Sequence, residues 1–166
     1  MCSSDLLTRR IAILDGAMGT MVQREHLDEA AVRGARFRDH GHSLRNNIDL
    51  LVLTRPDLIS AIHHAYLDAG ADIIETNTFS STSVAQADFG LSAAVHELNV
   101  AAARLARDAA DAWTTRTPER PRFVAHGCAR PRQHRSGRSR RPRGSHPAGS
   151  VTGPRPISAA APRVAS

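Results

Sequence analysis

The chain has 166 residues, which is room for one domain, since domains commonly have about 100–200 residues. Its 22 basic and 16 acidic residues give a formal charge of +6. The sequence contains neither an apolar run of about 18 residues nor an N-terminal apolar core, so we expect neither a membrane protein nor a secreted one. The two cysteines, Cys2 and Cys128, predict no disulfide framework and favour the cytoplasm.

The positive charge is concentrated at the C-terminal end. Residues 1–125 hold 13 Arg and all 16 acidic residues, whereas residues 126–166 hold 9 Arg and no acidic residue. This Arg- and Pro-rich segment has too few large apolar side chains to form a core, so we predict a disordered tail. Its charge would attract phosphate backbones, which makes non-specific nucleic-acid binding an alternative, disfavoured function. We favour the hypothesis that a reading-frame shift in GC-rich DNA follows Ala125.

Residues 1–125 alternate between strand and helix patterns. The first pattern is the apolar run at residues 11–14, which stops at Asp15 and is typical of a buried parallel strand. Residues 18–47 are polar and only partly helical, with one or two helical turns predicted at residues 28–33.

A clear helix is predicted at residues 56–69. Pro56 suits the first turn, and Gly70 supplies a left-handed end. Apolar residues recur at helical spacing, which predicts a buried stripe. The stripe comprises Leu58, Ile62, Ala65, Tyr66 and Ala69.

The next elements complete a repeating pattern. Residues 71–76 predict a strand, residues 92–113 a long helix with Ser92 as its N-cap, and residues 122–125 the start of a third strand. Strand, helix, strand, helix, strand indicates right-handed βαβ units in a parallel sheet, so the predicted fold class is α/β. The helix stripe comprises Val95, Leu98, Leu105 and Trp113.

A polar loop follows the first predicted strand, at the edge where parallel sheets commonly bind ligands. Asp15 offers an acceptor for an ammonium group, and Gly16 and Gly19 let backbone N–H groups approach a carboxylate. Together they suit an amino-acid ligand. The alternative is structural: Asp15 caps the following turn, and the glycines only form the bend.

A second polar loop follows the second predicted strand. Thr76, Asn77 and Thr78 carry hydrogen-bonding side chains, and Phe79 offers an apolar wall. The alternative is an ordinary turn with a core Phe. For Glu75 the alternative is a partly buried strand carboxylate bound by backbone donors.

His63 and His64 are adjacent in the predicted helix at residues 56–69. Neither is followed at i+4 by a second histidine or a cysteine that would form a metal-ligand pair. We therefore interpret both as structural and predict no metal role for them.

Four stretches together carry a family resemblance, at residues 13–23, 46–53, 61–66 and 69–79. They closely resemble the homocysteine-binding domain of cobalamin-dependent methionine synthases, a branch of the homocysteine S-methyltransferase family. The order and spacing match over residues 7–125.

The resemblance implies a (β/α)8 barrel, of which this chain would supply the first two to three βα units. It implies methyl transfer from methylcobalamin to the zinc-bound thiolate of homocysteine, giving methionine. It also implies a set of residues that bind the amino acid. They are Asp15, Gly16, Ala17, Glu75, Thr76, Asn77, Thr78 and Phe79.

The chain departs from the family pattern in its cysteines. The family holds zinc with three cysteine thiolates at later barrel positions, and neither Cys2 nor Cys128 matches one of them. The downstream folate and cobalamin domains are also missing. We therefore expect neither zinc nor cobalamin to bind this chain, assign no catalytic or metal-binding residue, and expect the chain alone to be inactive. Ala17 stands where the family more often has Gly, which is a tolerable change.

Overall fold

The computed structural model describes Thr8 and residues 10–126. Both cysteines and the Arg-rich segment after His126 lie outside the described residues. The disordered tail, its reading frame, the boundary after Ala125 and the nucleic-acid alternative therefore stay predictions.

The described residues form a mixed helical and stranded structure. None of the helices among them has both the length and the hydrophobicity needed to cross a membrane. In chain order the elements are α1 (Met18–Gln23), α2 (Glu29–Arg33), a 3₁₀ turn (Ile48–Leu50), α3 (Leu51–Thr54), α4 (Pro56–Asp68), β1 (Ile73–Glu75), α5 (Ser83–Ala87), a second 3₁₀ turn (Ser92–Ala94), α6 (Val95–Arg116) and β2 (Phe123–Ala125).

The sheet is parallel, as predicted. β1 pairs with β2 in a register that places Ile74 opposite Val124. On the other side of β1, Leu14 pairs with Ile73 in parallel orientation, and the Asp15 N–H donates to the Ile73 carbonyl at 2.9 Å. The three segments therefore follow one another across the sheet in chain order.

The prediction of a buried first strand is wrong. Only the single pairing at Leu14 is regular, and Ile11, Ile13 and Leu14 are 89%, 52% and 50% exposed. This segment lies at the edge of the sheet, with β1 on one side, and the described residues leave its side chains largely uncovered. An apolar run identifies a segment that can be buried, but not whether a neighbour covers it.

Helix α4 ends as predicted, because Gly70 has a φ of +104°. Its buried face differs from the predicted stripe: Ala65 and Ala69 are exposed, whereas Leu58 and Ile62 are buried as expected. The helix packs against α6, α3 and β1, so its covered face is broader than a single stripe and turned away from the alanines. The buried residues of α4 are Leu58, Ile59, Ile62, His63 and Leu67.

Helix α6 begins three residues later than predicted, after the 3₁₀ turn at Ser92–Ala94. Ser92 is not an N-cap, because its hydroxyl donates to the Ser83 carbonyl at 2.9 Å. Small residues dominate the buried face and let α6 pack closely against α4. The buried residues of α6 are Leu98, Ala102, Ala106, Ala109 and Ala110.

Two short helices carry side-chain caps. The predicted turns at residues 28–33 form α2, where Asp28 accepts from the Ala31 N–H at 2.7 Å. Helix α5 was not predicted from the sequence; there Thr82 accepts from the Ala85 N–H at 3.2 Å. Each cap satisfies a backbone donor that the helix leaves free.

A buried carboxylate joins the three segments of the sheet at their amino-terminal end. Asp72 is fully buried and accepts from Arg10 at 2.6 and 2.7 Å, from Arg120 at 3.1 Å and from the Ile13 N–H at 3.0 Å. Burial raises the pKa of Asp72, but the hydrogen bonds from both arginines and the backbone outweigh it and hold the pKa at about 2. The carboxyl ends of the strands lie at the other end of the sheet.

Candidate functional site

A cavity of about 670 Å³ opens at the carboxyl ends of the paired segments. Both polar loops contribute to its wall, so the structure brings the two predicted half-sites together. All the predicted site residues line it: Asp15, Gly16, Ala17, Glu75, Thr76, Asn77, Thr78 and Phe79.

Asp15 joins the first loop to β1. One carboxylate oxygen, Oδ2, accepts from the Glu75 N–H at 3.0 Å. The other, Oδ1, is buried and has no hydrogen-bond partner within the described part of the chain. Burial raises the pKa of Asp15 to about 6, because the backbone hydrogen bond from Glu75 offsets only part of the desolvation. The capping alternative is wrong, since Ala17 occupies the N-cap position of α1 and the helix has no side-chain cap.

Gly16 allows a close contact with Tyr66 of α4. A Cβ atom at position 16 would lie 3.1 Å from Tyr66 Oη and 3.3 Å from its Cε1. The same hydroxyl donates to the Ala17 carbonyl at 3.4 Å. At Gly19 a Cβ atom would make only an ordinary contact, 3.5 Å from Ile48 Cδ1. A side chain at position 16 would therefore push against Tyr66, whereas position 19 has room for a Cβ atom.

Hydrogen bonds within the protein hold the second loop. The hydroxyls of Thr76 and Thr78 lie 2.7 Å apart, and Thr78 Oγ1 lies 3.4 Å from His126 Nδ1. Asn77 Nδ2 donates to the Ile48 carbonyl at 2.9 Å. All three loop residues are buried. These side chains therefore set the shape of the wall.

Phe79 and Glu75 do not have the purely structural roles that the sequence offered as alternatives. Phe79 is 71% exposed, so it is not a core residue. Phe79 and Phe89 form an apolar part of the cavity wall. The Glu75 side chain is exposed, so it is not a buried strand carboxylate.

Residues 46–49 form a third wall of the cavity, which was not predicted from the sequence. Asp49 is buried, and its Oδ2 accepts from the Ser80 N–H at 2.7 Å and from the Ser81 hydroxyl at 3.0 Å. Burial raises the pKa of this carboxyl group. The available signal was the run of polar residues just before the apolar residues 50–53; it contributed to the family resemblance but was not read as part of the site.

A buried amide pair fixes the same wall to α5. Asn47 Nδ2 donates to Gln86 Oε1 at 2.9 Å, and Gln86 Nε2 donates back to Asn47 Oδ1 at 3.3 Å. Gln86 Nε2 also donates to the Ser80 carbonyl at 3.2 Å. Because both amides are buried and satisfied, this pair holds the third wall against the second loop.

The charge of the cavity is negative. Among the described residues, its lining includes the carboxylates of Asp15, Asp49 and Glu75 and no Arg, Lys or His. Such a cavity favours a ligand that carries a positive group.

Among the described residues, no group of three or more His, Cys, Asp or Glu side chains is placed to hold a metal ion. His63 is buried and neither ring nitrogen has a partner in this part of the chain. His64 Nδ1 accepts from Trp113 Nε1 at 3.0 Å. The described residues therefore do not fit the thiolate zinc site that the resemblance implies.

The sequence profile of homocysteine S-methyltransferases matches residues 12–144. The chain belongs to the homocysteine S-methyltransferase family. Its fold is similar to two solved structures of the homocysteine methyltransferase MmuM from Escherichia coli. The metallated form is 26% identical with a TM-score of 0.56, and the oxidized form is 27% identical with the same TM-score.

Each match covers 74% of this chain and 39% of the solved chain. The chain therefore spans about two fifths of the length of these homocysteine methyltransferases. The family prediction is confirmed, and so is the mixed helix and strand fold. The assignment to the methionine synthase branch stays a prediction.

Proposed function

We propose that the 670 Å³ cavity binds the amino-acid part of homocysteine. The observation that carries the proposal is Asp15, a half-buried carboxylate that lines this cavity, to which the described residues contribute no basic side chain. An ammonium group is the complement of such a carboxylate, because it donates charge-assisted hydrogen bonds and compensates the partly buried charge.

The remaining walls of the cavity offer binding positions for the other groups of homocysteine. We assign the α-carboxylate to the backbone N–H groups of residues 16–18, where Gly16 keeps the loop close to Tyr66 and free of a side chain of its own. We assign the methylene groups to the apolar surface of Phe79 and Phe89. This orientation leaves the sulfur at the opposite end of the ligand from Asp15.

Membership of the family supports the proposal that this binding step belongs to a methyl transfer. In that reaction a bond forms between the homocysteine sulfur and the methyl carbon, the donor releases the methyl group, and the thiol loses its proton. We propose the methionine synthase type, with methylcobalamin as donor and zinc holding the thiolate in the intact family. Since the described residues do not fit a zinc site, we derive no step through the metal for them.

We therefore propose that this chain supplies amino-acid binding and is inactive in methyl transfer by itself. The parallel order of the three sheet segments supports reading them as the first two to three βα units of a (β/α)8 barrel. In such barrels the loops at the carboxyl ends of the strands bind the substrate, and the cavity lies at these loops.

Equilibrium dialysis of radiolabelled homocysteine against the full chain tests the proposal. We expect saturable binding that Asp15→Asn weakens by about tenfold, because the variant loses a charge-assisted hydrogen bond. The matched control is Asp57→Asn, which removes an exposed carboxylate outside the cavity.

A second probe isolates the ammonium contact. 4-Mercaptobutanoate has the thiol and the carboxylate of homocysteine but no amino group. We expect it to bind weakly, and equally to the parent chain and to Asp15→Asn. Equal homocysteine affinity in the parent and Asp15→Asn, or the absence of saturable binding, would contradict the proposal.

A further inference from the structure

We propose that a second cavity, of about 280 Å³, binds a small organic monocarboxylate with a short apolar chain. The cavity is bounded by α1, α2 and the segment at residues 45–48. It shares part of that segment with the first cavity but is otherwise lined by different residues.

The floor of this cavity is apolar. Val22, Val32 and Leu51 belong to the buried core, and the half-buried Leu27 packs against the same core. A floor of this kind stabilises the hydrocarbon part of a ligand, because binding removes apolar surface from water.

The rim has the opposite charge to that of the first cavity. It includes Arg45 and His26 together with Gln23, and no Asp or Glu of the described residues lines the cavity. The Arg45 side chain is exposed, and in the part of the chain that the structure describes its guanidinium has no hydrogen-bond or ion-pair partner. An unpaired guanidinium above an apolar floor suits a carboxylate, which it binds through parallel N–H donors.

Two neighbouring arginines that do not line the cavity have carboxylate partners. Arg33 pairs with Glu29 at 2.7 Å, and Arg36 pairs with Glu97 at 2.5 Å. Arg45 is therefore the guanidinium that this cavity leaves available for an external anion.

The backbone of the rim is held in an unusual conformation. His26 has a φ of +47° and Asn46 a φ of +68°, and these are the non-glycine residues with positive φ in the described chain. Both border this cavity. Backbone in this region is less favourable for side-chain-bearing residues, and it is found disproportionately at binding sites.

The volume limits the size of the ligand. Cavities for drug-sized molecules commonly have about 300–1,000 Å³, so 280 Å³ suits a smaller molecule. An inorganic anion would leave the apolar floor uncovered. A monocarboxylate with a short alkyl chain uses both the rim and the floor.

The test uses hexanoate as the probe, with equilibrium dialysis of radiolabelled hexanoate against the full chain. We expect saturable binding, and about tenfold weaker binding to Arg45→Gln, because a charge-assisted hydrogen-bonded pair is lost. The matched control is Arg24→Gln, an exposed arginine of the same region that does not line the cavity. Arg24→Gln is expected to bind hexanoate like the parent.

Three further ligands make the outcome decisive. Hexanamide lacks the charge and acetate lacks the chain, so we expect both to bind more weakly than hexanoate. Homocysteine is expected not to displace hexanoate and to bind Arg45→Gln like the parent, which separates this proposal from the function assigned to the first cavity. Equal hexanoate binding to the parent and Arg45→Gln, equal binding of hexanamide, or displacement by homocysteine would overturn the proposal.

Discussion

Asp15 is bound to the backbone of Glu75, which lies 60 residues further along the chain, through a 3.0 Å hydrogen bond from the Glu75 N–H to Asp15 Oδ2. This contact joins the first polar loop to the end of β1 and leaves the second carboxylate oxygen buried without a partner among the described residues. The charge that we propose for ligand binding is thus held in place by the sheet itself.

Homocysteine affinity should depend on pH through Asp15. Burial raises the pKa of this carboxyl group to about 6, so the ionised form that attracts an ammonium group is lost below that value. We expect affinity to rise by about tenfold between about pH 5 and pH 7, as the ionised fraction grows. Equilibrium dialysis across this range measures it. In Asp15→Asn the homocysteine affinity should not change with pH over this range. If the affinity of this variant still rises with pH, another group is responsible for the titration.

Gly16→Ala should damage the site by displacing Tyr66. The added Cβ atom would lie 3.1 Å from Tyr66 Oη, and we expect a loss of about 1–3 kcal/mol in unfolding free energy, with weaker homocysteine binding. Urea denaturation and dialysis measure the two effects. Gly19→Ala is the control, because its Cβ atom makes an ordinary contact. Adding Tyr66→Phe to Gly16→Ala removes the nearest atom and should restore part of both losses; equal effects of the two alanine variants would refute this account.

Asp72→Asn should destabilise the fold in a pH-dependent way. The pKa of Asp72 is held at about 2, below its unfolded value of 3.8, so the folded state favours the ionised form. The stabilisation, about 2 kcal/mol, is present above the unfolded pKa and is lost as the pH falls toward the folded pKa. Urea denaturation of the parent and the variant at about pH 7 and pH 2 measures it.

The difference between the parent and Asp72→Asn should shrink as the pH falls. Asp57→Asn serves as the control, because its side chain is 67% exposed and exposed ion pairs contribute little. A parent-minus-variant difference that does not change with pH would show that the Asp72 charge is not the cause.

His63 should make the protein less stable in mild acid. Burial, aided by the neighbouring His64, lowers the pKa of His63 from 6.5 to about 4. The unfolded chain therefore binds more protons than the folded chain between these values. Stability should fall as the pH decreases through this window, by about 2 kcal/mol between pH 7 and pH 5.

The His63 prediction is tested by urea denaturation at both pH values. His63→Leu removes the titrating group and should reduce this loss of stability, whereas His96→Gln changes an exposed side chain of α6 and should leave it unchanged. If His63→Leu loses as much stability as the parent, the acid sensitivity arises elsewhere.

Local sequence patterns determined the two long helices, the two paired strands and their order. The spacing of apolar residues and the glycine at position 70 placed α4 and its end, and the alternation of strand and helix predicted parallel pairing. The convergence of both polar loops on one cavity also followed from the sequence, because parallel strands place their carboxyl ends at one edge of the sheet. The joint match of four stretches predicted the family, which the profile match at residues 12–144 confirmed.

The tertiary structure alone decided which atoms meet. Three hydrogen bonds of the site join residues that are far apart in the chain. The Glu75 N–H donates to Asp15 across 60 positions, and the Ser80 N–H donates to Asp49 across 31 positions. The side-chain amides of Asn47 and Gln86 pair across 39 positions. The exposure of residues 11–14 and the choice of the buried face of α4 were also decided by the tertiary structure, because both depend on what packs against these segments. Local periodicity reports which side chains can be buried, whereas partners and pKa values arise from contacts between distant parts of the chain, which periodicity does not encode.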